Sequence, residues 1–322
     1  MLSEPVKTNV LEIHKYSDKY KDDWNDLVAK SRNGTFLMNR DYMDYHKERF
    51  SDCSFVFLKK DRIEAILPGN ISNNTFHSHQ GLTYGGLIMS DKITSSDVLE
   101  IFELLNIELK KLLITEVIYK PVPSFYHRYP AQEDIYALHL LGAEKIGCNL
   151  SSAIYQKHHI GFSELRKRGL KRGIKAGIRV AESNNYSAFW AILNENLSRR
   201  YSKVAVHSEQ EIKLLSSRFH NYIRLYTAQS GDEIIAGVVT FRTPHAVHVQ
   251  YIAANETGRE LGALDVIFSK LINDTYSNIP VFEFGQSTEQ MGAYLNKNLI
   301  FQKEGFGARG VVYEIYKYRI AI

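Results

Sequence analysis

Apolar and polar positions recur in the same order in the two halves of this chain. In the first half, an apolar run at 55–58, a polar turn at 60–62 and a second run at 63–67 predict two antiparallel strands. A His-bearing extended stretch then leads to Tyr84, and apolar residues at helical spacing predict a helix over about 96–113. In the second half, runs at 223–226 and 234–241 flank the turn 230–232. His245 and His248 lead to Tyr251, and a helix is predicted over about 260–276. A repeat of this length is too long for a solenoid unit and predicts two similar domains, 1–156 and 157–322.

The remaining pattern fills both halves. A strand at 10–14 and helices at 18–30 and 39–50 open the first. A strand at 116–119 ends where Pro121 and Pro123 withhold backbone donors, and a short helix at 132–141 and a strand at 143–155 close it. A helix at 162–178 joins the halves, with Phe162, Leu165, Leu170, Ile174 and Ile178 near one face. Seven cations between Arg166 and Arg179 crowd its other faces, against the single acid Glu164, so a phosphate-rich ligand fits it better than solvation alone. A strand at 179–183, helices at 186–200 and 209–218, and a helix at 290–299 complete the second half. The layout is mixed α/β, with mostly antiparallel strands.

Composition narrows the class. With 44% hydrophobic and 24% charged residues the chain reads as globular, and the charge-studded start gives neither a signal peptide nor membrane insertion. Two cysteines, Cys53 and Cys148, have no ligand or redox spacing, which points to a cytoplasmic protein. A net charge of +4 is too weak to argue for nucleic acid. The pairs His77/His79, His158/His159 and His245/His248 lack the third and fourth ligands a zinc site needs, so no metal is expected.

The element order, with the stretch from Tyr251 to Gly262 and the run Lys303-Glu-Gly-Phe-Gly307, resembles the acyl-CoA N-acyltransferase (GNAT) fold present twice. It is similar to tandem-GNAT proteins, which include the Fem-type aminoacyltransferases. The resemblance covers nearly the whole chain as layout and is specific only in the C-terminal third. It implies two GNAT-like domains in tandem, each a mixed, mostly antiparallel sheet flanked by helices. The second would hold the donor and the first, lacking a glycine nest at 90–97, would shape an acceptor pocket. It also implies an acyl-CoA donor, acetyl-CoA in the simplest form, and a small-molecule amine acceptor such as a phosphate-bearing amino sugar or envelope precursor. The alternatives are Fem-like transfer from aminoacyl-tRNA, the one reading in which tRNA is a partner, and a duplicated binding protein without catalysis.

The same resemblance assigns candidate residues. Fourth-strand amides around Ala253 and Ala254 would hold the donor's carbonyl and arm, and Gly258, Arg259 and Gly262 its pyrophosphate. Leu264 departs from the family's last small position. From the residues themselves, Glu283 sits on an apolar strand between Phe282 and Phe284, where burial would raise its carboxyl toward general-base range, the rival being a solvated or paired Glu. Tyr251 is placed to protonate a leaving group, or else to pack in a core, with His248 beside it. Ser287 and Thr288 read as helix caps, Ser287 and Asn296 as acceptor contacts, and Tyr84 as the counterpart of Tyr251. The resemblance gives Lys303 a phosphate-bearing acceptor, with Arg309 as a second anion contact; the alternative is a surface lysine after a helix.

Overall fold

The computed structural model describes residues 10–201 and 204–320. The chain forms two compact units, 1–148 with 312–322, and 149–311. The sequence boundary at 156 therefore moves to 148, and the last strand of the chain returns to the first unit.

In the first unit the elements are β1 (Leu11–Lys15), α1 (Lys21–Lys30), α2 (Arg40–Met43), β2 (Ser51–Asp52), β3 (Phe55–Lys59), β4 (Arg62–Leu67), β5 (Asn70–Ser72), β6 (Thr75–His77), β7 (Ile88–Met89), α3 (Ser95–Lys111), β8 (Glu116–Tyr119) and α4 (Glu133–Leu140). Strands β1, β3, β4 and β7 make an antiparallel sheet, and β6 runs parallel to β8. The helix α3 shows how sequence fixes an element. Thr94 and Asp97 form a reciprocal capping box, and Val98, Ile101, Phe102, Leu105 and Leu109 follow at helical spacing and enter the core. The expected helix at 39–50 is shorter: α2 ends at Met43 and a 3-10 turn, Asp44–Arg49, carries the chain on.

The chain crosses into the second unit along β9 (Glu144–Tyr155). There follow α5 (Glu164–Lys175), β10 (Arg179–Ser183), α6 (Tyr186–Tyr201), α7 (Glu209–Arg218), β11 (Ile223–Ser230), β12 (Glu233–Arg242), β13 (Ala246–Ala254), α8 (Glu256–Leu261), α9 (Ala263–Lys270), β14 (Val281–Gln286), β15 (Thr288–Glu289), β16 (Tyr294–Leu295), α10 (Lys297–Glu304) and β17 (Arg309–Arg319). Strands β10 to β13 form an antiparallel meander; β14 lies parallel to β13 and antiparallel to β9.

Two irregularities open this sheet. Val239 pairs with Tyr251 and Thr240 with Val249, so Gln250 is an extra residue in β13, a β-bulge. Pairing between β13 and β14 stops at His248 and Glu283, although β13 continues to Ala254. On one face, Phe268, Phe282, Phe284 and Phe306 form the core under α9. On the other, Trp190 of α6 packs against Tyr251. The expected helix at 290–299 is displaced. Gly292 at φ +100° and Met291 at φ +53° break it, and the helix begins at Lys297, capped by Asn296 accepting from the Leu299 amide.

Candidate active site

The point where β13 and β14 separate is also where ionisable side chains meet. Glu283 is fully buried and His248 lies opposite it across the parallel pair. The imidazole Nδ1 of His248 hydrogen-bonds the Glu283 carboxylate, and Ser151 of β9 donates its hydroxyl proton to the other oxygen. The Gly285 amide donates to that oxygen too, at 2.8 Å. Gly285 permits this hook because its φ is +77°, a conformation that side chains resist.

Burial alone would push the Glu283 carboxyl up, as the sequence suggested. The opposing effects win: the charge and hydrogen bond of His248, the bond from Ser151 and the charge of Lys303 together hold it below the ordinary range. Glu283 is thus an anchored carboxylate, and the basic group it presents is His248, whose side chain remains 15% exposed. The pair can orient an imidazole and stabilise its cation, as catalytic histidine–carboxylate pairs do.

Lys303 corrects the second expectation. It is 3% exposed, in the last turn of α10, and its ammonium donates to Gly285 O at 2.7 Å, Gln286 O at 2.9 Å and Ser287 Oγ at 2.9 Å. All three donors are spent on the loop that follows Glu283, which leaves none for an outside phosphate. Burial pulls its pKa down to about 8, against the charge of Glu283. Ser287 is accordingly an acceptor for Lys303, and Asn296 caps α10. Arg309 is exposed and donates to Ala308 O.

The expected pyrophosphate corner is closed. The amide of Gly258 is held by Asn255 Oδ1 at 2.8 Å, that of Arg259 by Asn255 O at 3.1 Å and that of Gly262 by Arg259 O at 3.4 Å. The Arg259 guanidinium donates to Ala254 O and Asn196 Oδ1. Helix α5 packs over the corner: a Cβ on Gly262, itself at φ +78°, would lie 2.5 Å from Gly169 O. Asp265, in the first turn of α9 where an anion would settle, supplies the carboxylate itself and pairs with Arg166 at 3.1 Å. Ala253 and Ala254 are buried and pair with Gly237 and Ala236 of β12.

Tyr251 is buried beside Trp190, and its hydroxyl meets His207 at both the backbone amide, 3.1 Å, and Nδ1, 2.6 Å. Burial, the largest effect, raises its pKa to about 12, so it keeps its proton at neutral pH. The rings of His248, Phe241, His207 and Tyr251 follow one another at 5.9–6.4 Å, which puts both candidates on one face of the sheet. A lone histidine between two helices gave no sequence signal for His207. Tyr84 is a packing residue of the first unit, its ring tilted against Tyr126 and its hydroxyl donating to Thr35 Oγ1.

Comparison with known proteins fits this geometry. Residues 163–293 match the acetyltransferase (GNAT) domain family. FemX shares 9% identity over 96% of this chain and 97% of its own, with a TM-score of 0.69. The C-terminal domain of a putative lysylphosphatidylglycerol synthetase from Agrobacterium fabrum shares 9% over 93% and 91%, at 0.60. A tandem GNAT protein from the clavulanic acid biosynthesis pathway shares 11% over 97% and 99%, at 0.51. No curated protein is significantly similar to the chain in sequence. The bulged, splayed sheet and these likenesses define a GNAT-type acyltransferase fold. Residues 163–293 match the GNAT domain family, and the chain as a whole shares its fold with FemX and with the tandem GNAT protein. Among the described residues no helix is long and apolar enough to cross a membrane.

Proposed function

We propose that the chain transfers an aminoacyl group from an ester donor to the amine of a small acceptor, in the cytoplasm. The observation that carries this is the Glu283–His248 pair at the separation of β13 and β14. There the acceptor amine attacks the acyl carbonyl and gives its proton to His248, while Glu283 stabilises the imidazolium. Backbone amides of β13 beyond the bulge polarise the carbonyl, and Tyr251 protonates the departing oxygen. Lys303 holds the loop that positions Glu283.

The closed corner at Gly262 favours a donor that does not depend on a pyrophosphate grip, and the exposed cations Arg168, Lys171, Arg172 and Lys175 of α5 suit the phosphates of a tRNA. The second reading, acyl-CoA as donor, is favoured by the GNAT domain match over 163–293. Thermal shift and transfer assays separate them. Aminoacyl-tRNA should stabilise the protein saturably and label an amine acceptor, with CoA inert. Saturable stabilisation by CoA with acyl transfer from acetyl-CoA would establish the second reading instead.

A further inference from the structure

We infer that the first unit carries a binding site for a carboxylate group at Lys120, at the place in its sheet that corresponds to the Glu283 loop of the second unit. The inference concerns binding alone and stands apart from the transfer reading. In the first unit Thr75, Phe76 and His77 of β6 pair with Glu116, Val117 and Ile118 of β8; in the second, Ala246, Val247 and His248 pair with Val281, Phe282 and Glu283. Both pairs are parallel, and each ladder ends at a histidine. The middle residues of each ladder enter the core, so each histidine and its partner face the opposite side. Ile118 therefore stands where Glu283 stands, and Lys120 where Gly285 stands. The second unit gives its histidine a carboxylate; the first gives its histidine a lysine.

Lys120 is fixed at its backbone. Its amide donates to Ser78 Oγ at 2.7 Å, and its carbonyl accepts from the Gly85 amide at 2.8 Å. A Cβ on Gly85 would lie 2.0 Å from Ser78 O, so the loop 78–86 is pressed against the end of β6. The ammonium donates to Leu82 O of this loop, and among the described residues no other group accepts from it. An ammonium has three donors, so two stay open. The side chain is partly buried, and burial alone pulls its pKa down to about 8, which leaves it mostly charged at neutral pH. A buried cation without a counter-ion costs stability, and an incoming anion offsets that cost.

The surroundings select the anion. The charge of Lys120 reaches His77 and His79, and burial, the largest effect, lowers both, His79 to about 3, so both rings are neutral at pH 7. His79 Nδ1 accepts from the Gly81 amide at 3.2 Å. The His77 ring is partly exposed and offers an N–H near the ammonium. The other charges that act here are engaged: Glu116 pairs with Lys317 at 3.4 Å, and Arg40 pairs with Asp44 and Asp52. His46, which also acts on His79, hydrogen-bonds Met43 O. One free positive charge with two open donors matches the single charge and two oxygens of a carboxylate. A phosphate dianion would keep one charge uncompensated in a poorly hydrated place.

The test titrates the full-length protein, labelled with carbon-13 at lysine Cε, in sodium acetate, phosphate or chloride at one ionic strength. The Lys120 signal, assigned by its absence in Lys120→Arg, should titrate near pH 8 in chloride. Acetate pairs with the charged form, so the midpoint should rise by about one pH unit at ten times the dissociation constant. Phosphate should move it less. Lys120→Met should weaken acetate at least about 10-fold, read from the Gly85 amide shift, and His77→Ala should weaken it by a smaller factor. A midpoint unmoved by acetate overturns the inference whether or not a variant folds. So does wild-type acetate affinity in Lys120→Met. A midpoint moved further by phosphate than by acetate overturns the choice of a carboxylate.

Discussion

His248 and Glu283 are 35 residues apart and share a hydrogen bond at the last rung of the ladder between β13 and β14. One rung further the strands part, so the imidazole stands at the edge of an opening while its carboxylate partner is sealed beneath. A carboxylate placed there can act only through the histidine. This arrangement turns a buried charge, costly alone, into a device that fixes ring orientation.

Removing that carboxylate tests the arrangement. Glu283→Gln keeps the shape but not the charge, so it should lower kcat about 100- to 1000-fold with folding retained, as read by circular dichroism and steady-state kinetics. Glu283 also predicts an acid limb in stability. Its folded pKa lies below the ordinary value, so its contribution is present above the unfolded pKa and is lost as pH falls through the folded one. Urea midpoints for the wild type should drop below about pH 4.5 more steeply than those for the glutamine variant.

Lys303 predicts a pH effect of the opposite sense. Its folded pKa is about 8 against an ordinary 10.5, so between those values the unfolded chain binds more protons and stability rises with pH. The full rise is on the order of 3 kcal/mol. Lys303→Met should flatten that limb, leave the carbonyls of Gly285 and Gln286 without their donor, and lower activity through the displaced loop. A variant whose stability tracks the wild type from pH 8 to 10.5 would refute the assignment.

The fold was largely legible because periodicity is local: α3 and the strands β3, β4, β11 and β12 follow from apolar spacing and turn residues within a few positions. His248, Tyr251, Glu283 and Lys303 could each be singled out from the sequence as a candidate. Their partnerships could not. The bond between His248 and Glu283 depends on the register of a parallel pair joined through α8 and α9, and nothing within either segment specifies it. Lys303 was misplaced because lysine is seldom buried, and its burial depends on a loop that turns three acceptors toward it. The helix expected at 290–299 failed for a local reason: Met291, Tyr294 and Leu295 are apolar at helical spacing yet exposed, and Gly292 takes a left-handed turn.

The contact between α5 and α9 makes a packing prediction. Gly169 and Gly173 let the helices approach so closely that a Cβ at either would collide with Asp265 or Val266. Gly173→Val should therefore destabilise the second unit by about 1–3 kcal/mol, the usual cost of overpacking, measured by denaturant unfolding. Val266→Ala, which removes the obstructing methyls, should recover part of that loss in the double variant.

The outer face of α5 makes the last prediction. Arg168, Lys171, Arg172 and Lys175 are exposed and lie within roughly a third of the helix circumference, at 100° per residue. Lys171 and Lys175 point away from Gly169 and Gly173, which are buried against α9, so reversing these two leaves the packing untouched. Each cation contacting a phosphate releases counterions, so affinity for a polyphosphate ligand should fall with salt, and losing two contacts should flatten the log–log slope by about two units if each contact contributes near one. The double variant Lys171→Glu/Lys175→Glu should show that flatter slope toward aminoacyl-tRNA, with unchanged thermal stability and unchanged turnover of a minimal aminoacyl ester that carries no tRNA. Wild-type affinity and slope in the variant would place the donor elsewhere and leave the α5 face as a solubilising surface.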